Sequence, residues 1–339
     1  MTGLKREKIA VLGGGSWGTS LANMLSSDGH DVSMWAFEKD LVERMRQTRV
    51  NDIFLPAITL PETLRITNDM EEALSGRDIV VSMGPSAYTR QVCSQAAEFI
   101  SDGSIILNAA KGLEPKTLKR MSEVLGEVFP KLSPDGIATL SGPTFALELA
   151  RRRPTAALVG CKSLDTARRF QEMLSCSYFR LYTSEDIVGV EFGGALKNIV
   201  AIASGIVDGL GLGPNTQAAL ITRGLSEIAR LGAANGAKPL TFQGLSGLGD
   251  LVLTCMSKLS RNYSLGYELA QGRKLKDILS EMKMVAEGVG TCRSALQLSK
   301  MCNVEMPITA QMFEVLFENK SPGEAIQDLM NRPLKEELN

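Results

Sequence analysis

The chain has 339 residues, of which 44% are hydrophobic and 22% charged, a composition typical of a globular protein long enough for two domains. Its 37 basic and 38 acidic residues give a net charge of -1, so no overall field attracts nucleic acid or an anionic membrane. The six cysteines form no CxxC pair and no zinc-type spacing, which indicates unpaired thiols in a reducing compartment and excludes a disulfide framework.

The sequence also argues against a membrane span. The most apolar helical run, residues 195–212, is interrupted by Lys197, Asn198 and Asp208. Residues 1–8 are basic, but the apolar run that follows meets glycines at once and is too short for a signal-peptide core. We therefore expect a cytoplasmic protein.

Residues 8–150 alternate short apolar runs with helical stretches, the pattern of a parallel α/β sheet. The predicted strands are residues 8–12, 31–37, 64–67, 78–83, 104–108 and 136–141. The predicted helices among them include residues 17–27, 87–100 and 116–128. Two further strands, at 155–160 and 178–182, are expected to extend the sheet.

A glycine-rich turn, Gly13-x-Gly15-x-x-Gly18, lies between the first predicted strand and the first predicted helix. In this context Gly13 permits the tight turn, Gly15 lets the backbone approach a pyrophosphate, and Gly18 lets helix and strand pack closely. The helix N-terminus offers free N–H groups to the anion. This pattern predicts the dinucleotide site of a nicotinamide-dependent dehydrogenase, and a purely structural turn is the alternative.

The second predicted strand ends in Phe37 and Glu38, about 20 residues past the turn, where an acidic side chain binds the ribose hydroxyls of a dinucleotide. Glu38 is the candidate for that role, and Phe37 could stack on adenine. No basic residue precedes Glu38 at the strand end to bind the 2'-phosphate of NADP, and this absence favours NAD. Lys39, which directly follows Glu38, is the one nearby basic residue that points the other way. The alternative is that Phe37 belongs to the core and Glu38 is a solvated charge.

The character of the chain changes near Gly189 to long helical segments rich in Ala, Leu, Ile and Met. The predicted helices are residues 189–209, 215–235, 241–244, 250–257, 261–271, 274–283, 287–302, 307–317 and 321–330. We therefore predict an α/β fold with two domains: an N-terminal Rossmann-type doubly wound sheet over 1–189 and an all-helical C-terminal domain over 190–339.

Hydride transfer to a carbonyl needs a group that protonates the oxygen, most often histidine. The only histidine, His30, lies at the end of the sheet opposite the cofactor, and we expect it to be surface structure. No cluster has metal-ligand spacing, so no metal is expected, and lysine is the best remaining choice. Lys197 lies in a small, apolar helix, where Gly193, Gly194 and Ala201 would leave space for substrate. Burial would lower its pKa toward the useful range, and a lysine reaching out to solvent is the alternative.

Two further groups of polar residues suit the same chemistry. Lys111 follows the predicted strand at 104–108 and so projects toward the cofactor crevice, with a solvated loop lysine as the alternative. Ser260 is a candidate helix N-cap, and Arg261, Asn262 and free helix N–H groups would together bind a phosphate. An exposed first-turn arginine is the alternative there, although a helix N-terminus disfavours a cation unless an anion binds.

Six motifs, taken in order, resemble those of the bacterial-type NAD(P)-dependent glycerol-3-phosphate dehydrogenases, which interconvert dihydroxyacetone phosphate and sn-glycerol 3-phosphate. They are GGGSWGT from residue 13, AKGLE from 110, LSGPTFA from 140, GALKN from 194, GLGDL from 247 and SRN from 260. The resemblance covers nearly the whole chain. It implies NAD or NADP as cofactor, a phosphorylated small-molecule substrate, a homodimer built largely through the helical domain, and the supply of glycerol 3-phosphate for phospholipid synthesis.

The resemblance also implies residue roles at the matching positions. Lys197 would be the catalytic acid/base, and Lys111 and Asp250 would hold the reacting carbonyl or hydroxyl groups. Further substrate contacts would come from Gly142, Thr144, Asn198, Thr254, Ser260, Arg261 and Asn262. Further cofactor contacts would come from Ser16, Trp17, Lys111, Ala146, Arg261, Val285 and Glu287. Phe37 departs from the many bacterial members with a basic residue or histidine there, and looks more like the NAD-preferring eukaryotic relatives.

Two other interpretations stay open from the sequence. A related β-hydroxyacid or phosphogluconate dehydrogenase would share a Rossmann domain followed by a helical one, but the phosphate motif at 260–262 argues against a simple hydroxyacid. A non-catalytic NAD-sensing or scaffolding protein is the second alternative. The set of Lys111, Lys197 and Asp250 opposes it.

Overall fold

The structure, a computed structural model, describes residues 6–337, so residues 1–5 of the basic N-terminal segment and residues 338–339 of the polar tail lie outside it. The strands of the described chain are β1 (Lys8–Leu12), β2 (Asp31–Trp35), β3 (Val50–Asn51), β4 (Leu55–Thr59), β5 (Arg65–Thr67), β6 (Ile79–Ser82), β7 (Ile105–Asn108), β8 (Ile137–Ser141), β9 (Thr155–Cys161) and β10 (Phe179–Ser184). Eight of them form one sheet in the order β10-β9-β8-β7-β6-β1-β2-β5, and β3 and β4 form a separate hairpin.

Strand β1 lies inside the sheet and pairs in parallel with β2 and β6, with Ile9 opposite Val32 and Ile79. The run β5-β2-β1-β6-β7-β8 is the doubly wound order of a dinucleotide-binding sheet, in which ligands bind outside the carboxyl ends of the strands. The pairings among β5, β2, β1, β6, β7 and β8 are all parallel, as expected for residues 8–150. The two strands that extend this sheet run the other way, because β9 pairs antiparallel with β8 and β10 pairs in parallel with β9. The carboxyl ends of β9 and β10 therefore lie beside the amino ends of the other strands, on the side of the sheet away from the glycine turn.

Helices cover both faces of the sheet. They are α1 (Ser16–Ser27), α2 (Lys39–Thr48), α3 (Met70–Leu74), α4 (Thr89–Ala96), α5 (Met121–Val128), α6 (Ala146–Ala150) and α7 (Leu164–Leu174). Alternate residues of β1 point to opposite faces. Ile9 and Val11 join one apolar core with α1, α2 and α7, and Ala10 and Leu12 join another with α3, α4 and α5.

The second half of the described chain is helical. Its helices are α8 (Ile187–Gly209), α9 (Gly213–Ala234), α10 (Asp250–Cys255), α11 (Arg261–Ala270), α12 (Leu275–Glu281), α13 (Glu287–Met301), α14 (Pro307–Phe317) and α15 (Pro322–Met330). Within residues 6–337 only α8 is long and apolar enough to cross a membrane, and 94% of its most apolar window is buried inside the fold. It is therefore the core helix of this half, and the fold class expected from the sequence is confirmed.

Helices α8 and α11 pack in direct backbone contact at two glycines. A Cβ at Gly205 would lie 1.9 Å from the carbonyl oxygen of Tyr263, and a Cβ at Gly266 would lie 1.9 Å from that of Ile202. No side chain fits at either position. This packing fixes the start of α11, where Arg261 stands, against the helix that carries Lys197.

Some local expectations are wrong. The helix expected over 116–128 begins only at Met121, because Lys116 and Leu118 adopt positive φ angles of 73° and 62° in a loop. The helix expected over 241–244 is a 3-10 turn, Pro239–Gln243, followed by a π-helical turn, Leu245–Gly249. His30 does precede β2, but it is buried at 3% exposure, where its Nδ1 accepts the N–H of Glu7 at 3.2 Å. Burial lowers the pKa of its imidazole.

Candidate active site

The glycine turn connects β1 to α1 and has the geometry of a phosphate cradle. Gly13 has φ of 136°, a conformation that L side chains rarely adopt, and a Cβ at Gly18 would lie 1.9 Å from the Gly13 carbonyl oxygen. A Cβ at Gly15 would meet no protein atom within 4 Å, so this face of the turn is open. Helix α1 has no side-chain cap and no acidic residue in its first turn. Its free N–H groups and the positive end of its dipole suit a pyrophosphate.

The side chains of the turn connect it to neighbouring segments. The Trp17 indole N–H donates to the Thr144 carbonyl oxygen at 3.0 Å, and the Ser20 hydroxyl donates to the carbonyl oxygen of Ala146 at 2.9 Å. The Ser16 hydroxyl donates to the carbonyl oxygen of Phe54. The loop after β8, which holds two predicted site residues, therefore lies directly beside the cofactor turn.

Phe37 and Glu38 follow β2 at the same edge of the sheet. Phe37 is 78% exposed, and its ring meets the Trp35 ring edge-on at 6.4 Å between centroids. The alternative that Phe37 belongs to the core is therefore wrong. Glu38 is exposed at the N-cap of α2 and makes no side-chain cap hydrogen bond there. Both side chains are accessible to a ligand held in the turn.

The lysines predicted for the chemistry meet at one carboxylate. Asp250, the first residue of α10, is 1% exposed and accepts from Lys197 on Oδ1 and from Lys111 on Oδ2, the latter at 2.7 Å. Thr254, one turn later, accepts a second bond from Lys197 at 2.7 Å and donates to the Asp250 carbonyl oxygen at 2.6 Å. Lys111 also donates to the carbonyl oxygen of Gly142 at 3.2 Å. These contacts join α8, α10 and the carboxyl ends of β7 and β8 in one cluster.

Burial and two neighbouring charges act on the Lys197 ammonium group. Lys197 is only 7% exposed, so the alternative of a lysine that reaches out to solvent is wrong. Burial lowers the pKa of Lys197 to about 8; the charge of Lys111 acts in the same direction, while Asp250 opposes both. An amine with a pKa close to neutral pH is suited to act as a general acid or base.

The space around Lys197 differs from the expectation in its origin. A Cβ at Gly193 would lie 2.3 Å from the carbonyl oxygen of Ser246, and a Cβ at Gly194 would lie 2.6 Å from the hydroxyl oxygen of Ser141. Ala201 is fully buried. These small residues therefore admit neighbouring protein segments, and the expectation that they open a substrate pocket is wrong.

The phosphate candidates lie at the start of α11. Ser260 caps this helix by accepting the Tyr263 N–H at 3.2 Å, which confirms the predicted N-cap. The Asn262 amide is buried, donates to the Asn198 side-chain oxygen at 2.9 Å and accepts the N–H of Gly288 at 2.9 Å. These bonds hold Asn262 within the protein, and its partner Asn198 is the residue that follows Lys197 in α8. Arg261 is exposed and donates one bond, at 2.8 Å, to the carbonyl oxygen of Val285.

Val285, just before α13, and Glu287, the first residue of α13, lie near the start of α11 and the end of β6. The Glu287 carboxylate accepts the Ser86 N–H at 3.0 Å and the Ser86 hydroxyl at 2.6 Å. Burial raises the pKa of Glu287, and the two bonds from Ser86 and the charge of Arg261 act against it. Ser86, which follows β6, has no role in the sequence-based expectations, because its partner lies 201 residues away in the chain.

Within residues 6–337, no group of three or more His, Cys, Asp or Glu side chains has the arrangement of a metal site. All six cysteines are free thiols, four of them buried. The site brings together a lysine–carboxylate cluster and an open dinucleotide cradle. A doubly wound sheet with this cradle and this cluster defines a nicotinamide-dependent dehydrogenase.

Comparisons with known proteins give the family. Residues 8–167 match the model of the NAD-dependent glycerol-3-phosphate dehydrogenase N-terminus, and residues 186–327 match that of its C-terminus. The glycerol-3-phosphate dehydrogenase (NAD(P)+) of Syntrophotalea carbinolica is 55% identical over 330 residues, covering 97% of this chain and 99% of the relative. That of Citrifermentans bemidjiense is 52% identical over 331 residues, covering 98% and 99%.

A solved structure agrees with these sequence matches. Glycerol-3-phosphate dehydrogenase from Coxiella burnetii is 37% identical and superposes with a TM-score of 0.93, covering 96% of this chain and 99% of that chain. The chain belongs to the NAD-dependent glycerol-3-phosphate dehydrogenase family. The alternatives of a hydroxyacid or phosphogluconate dehydrogenase and of a non-catalytic NAD sensor do not account for these matches.

Proposed function

We propose that this protein is an NAD(P)-dependent sn-glycerol-3-phosphate dehydrogenase that interconverts dihydroxyacetone phosphate and sn-glycerol 3-phosphate. The observation that carries the proposal is the buried contact of Lys197 with Asp250 and Thr254, at the sheet edge where the glycine turn opens. The names of the close relatives supply the substrate pair.

The proposed mechanism assigns the proton to Lys197. In the direction of ketone reduction the Lys197 ammonium donates its proton to the oxygen on C2, and in the reverse direction the neutral amine takes it back. When bound, the nicotinamide supplies or accepts the hydride. Asp250 holds the Lys197 and Lys111 ammonium groups together, and Lys111 hydrogen-bonds the reacting oxygen from the other side. A pKa of about 8 lets Lys197 exist in both forms near neutral pH.

The remaining predicted residues are assigned by their positions. Substrate would contact Gly142, Thr144, Asn198 and Thr254 beside the lysine cluster, with its phosphate at Arg261 and at the start of α11, where Ser260 and Asn262 stand. The cofactor would lie along the glycine turn, Ser16 and Trp17, with Phe37 and Glu38 at the adenosine end and Lys111, Ala146, Arg261, Val285 and Glu287 toward the nicotinamide. The choice between NAD and NADP would depend on Phe37 and Glu38.

The wider assignments are part of the same proposal. The dinucleotide-binding domain extends to residue 189 and the substrate-binding domain follows, in accord with β10 ending at Ser184 and α8 beginning at Ile187. We further propose a cytoplasmic homodimer that forms through the helical domain. Its product would serve phospholipid synthesis.

The most informative experiment compares oxidation of NADH and NADPH by the purified protein, with dihydroxyacetone phosphate and with unphosphorylated dihydroxyacetone. We expect turnover with the phosphorylated ketone and a much larger KM for the other. Arg261→Ala should raise the KM for dihydroxyacetone phosphate by a factor equivalent to ~1.5–3 kcal/mol, the scale of a hydrogen bond to a charged group. Equal use of both ketones by the unmodified protein would contradict a phosphate site at Arg261.

A further inference from the structure

The segment from Met282 to Glu287 links α12 to α13 and contacts both halves of the molecule. Its Met284 sulfur lies 3.2 Å from the Ser16 hydroxyl oxygen, which brings the segment against the glycine turn. Its Val285 carbonyl oxygen accepts Arg261 at 2.8 Å, which ties it to the start of α11. Its last residue, Glu287, meets Ser86 of the sheet domain. The segment therefore spans the cleft between the cofactor turn and the phosphate candidate.

The contact between Ser86 and Glu287 is bidentate. The Ser86 N–H donates to Oε1 at 3.0 Å and the Ser86 hydroxyl donates to Oε2 at 2.6 Å, so the plane of the carboxylate is fixed by two bonds. Glu287 is the first residue of α13, where the helix dipole favours a negative charge. Ser86 itself is buried. Loss of the hydroxyl would leave one carboxylate oxygen without this donor.

Gly112 connects this contact to the lysine cluster. A Cβ at Gly112 would lie 2.3 Å from the Ser86 hydroxyl oxygen and 2.7 Å from the Ser86 Cβ, so Ser86 occupies the space that a side chain there would need. Gly112 follows Lys111, whose ammonium binds Asp250. Ser86 therefore packs against the backbone next to Lys111 on one side and holds Glu287 on the other.

We propose that Ser86 is a positioning residue, which holds the Glu287 carboxylate and with it the segment from Met282 to Glu287 in the orientation that binds the cofactor. The inference rests on the proposed function for the cofactor contact of Glu287. Each carboxylate oxygen accepts one bond from Ser86 and keeps further acceptor capacity, which suits the hydroxyl and amide donors of a dinucleotide. Ser86 acts through Glu287, so its loss should weaken cofactor binding more than turnover.

A double-mutant cycle tests this inference. Ser86→Ala removes one donor, Glu287→Ala removes the acceptor, and binding of NADH, or of NADPH if the unmodified protein prefers it, is titrated by fluorescence without substrate. We expect Ser86→Ala to raise Kd about tenfold, on the scale of one hydrogen bond to a charged group. The double variant should bind within about twofold of Glu287→Ala, because contacting residues are not additive. With saturating cofactor, kcat of Ser86→Ala should stay within about threefold of the unmodified value, while KM for the cofactor rises by the same factor as Kd.

Ser94→Ala, at an exposed serine of α4, is the matched control and should leave Kd unchanged. If Ser86→Ala does not fold, Glu287→Gln replaces it: this side chain keeps its shape but turns one acceptor into a donor, and it should also raise Kd. A Kd for Ser86→Ala or for Glu287→Gln within twofold of the unmodified protein overturns the inference, as do effects that multiply in the double variant. Coupled losses of cofactor binding in a protein that does not reduce dihydroxyacetone phosphate would support the inference and refute the proposed function.

Discussion

Replacing Asp250 by asparagine should change the pH at which the enzyme loses its proton donor. Burial and the charge of Lys111 lower the pKa of Lys197, and the Asp250 carboxylate acts against them to leave it at about 8. An opposite charge in close contact changes a pKa by about 1 to 3 units, or about 1.4 to 4 kcal/mol. In Asp250→Asn this support is absent, so the pKa of Lys197 should fall by that amount.

The assay is the pH dependence of kcat/KM in both directions, which reports ionisation in the free enzyme. Reduction needs the ammonium, so kcat/KM of the unmodified protein should fall as the pH rises through about 8. Oxidation needs the neutral amine, so its kcat/KM should rise through the same pH. In Asp250→Asn both transitions should lie at least about one unit lower. Thr254→Val, which removes only an uncharged partner of Lys197, should move them less. Transitions that stay in place in Asp250→Asn would refute the role given to this carboxylate.

Three further predictions concern the cradle, the helix packing and a buried carboxyl group. Gly15→Ala should leave the melting temperature unchanged, because its Cβ meets no protein atom, but should weaken NADH binding in a fluorescence titration; unchanged binding would place the pyrophosphate elsewhere. Gly266→Ala should lower the free energy of unfolding in urea by ~1–3 kcal/mol or more, since its Cβ would lie 1.9 Å from the Ile202 carbonyl oxygen. Gly290→Ala, where a Cβ meets open space, should raise the free energy of unfolding by ~0.5–1 kcal/mol. Equal effects of the two substitutions would contradict this packing. Burial raises the pKa of Glu227 from its ordinary value of 4.5 to about 7. The folded protein therefore binds this proton more tightly than the unfolded chain does. The contribution of Glu227 to stability should decline as the pH rises from 4.5 through about 7. The free energy of unfolding in urea, measured at pH 5 and pH 8, should not show this decline in Glu227→Gln. If the free energies of variant and unmodified protein differ by the same amount at both pH values, the backbone hydrogen bonds from Ile308 and Thr309 keep the carboxylate ionised and the prediction is contradicted.

The sheet and the glycine turn could be predicted because their signals are local. Short apolar runs such as Ile79–Ser82 and the spacing of the three glycines depend on neighbours within a few residues. The antiparallel pairing of β9 with β8 has no such signal, because an apolar strand pattern has no direction. The late start of the helix at Met121 likewise follows from a loop with positive φ angles at Lys116 and Leu118, which sequence periodicity does not show.

The residues of the candidate active site could be predicted one by one, but their contacts with each other could not. Lys197 could be singled out because an ammonium group is unusual in an apolar helix, and its burial agrees with that reasoning. The sequence could not show that Asp250 bridges two lysines, or that Ser86 holds Glu287, because these contacts join residues 53, 139 and 201 positions apart. The helix pattern likewise does not show that Ser246 and Ser141 fill the space beside Gly193 and Gly194, because these serines come from distant parts of the chain.

The rate of NADH oxidation by Lys197→Met with dihydroxyacetone phosphate tests most directly whether Lys197 is the proton donor. Loss of a general acid typically costs about 10²–10⁴-fold in rate, and we expect a loss of this size in kcat while the Kd for NADH stays within about twofold. Lys238→Met, at an exposed lysine, should retain the unmodified rate. Turnover by Lys197→Met close to that of the unmodified protein would contradict the assignment of Lys197 as the proton donor.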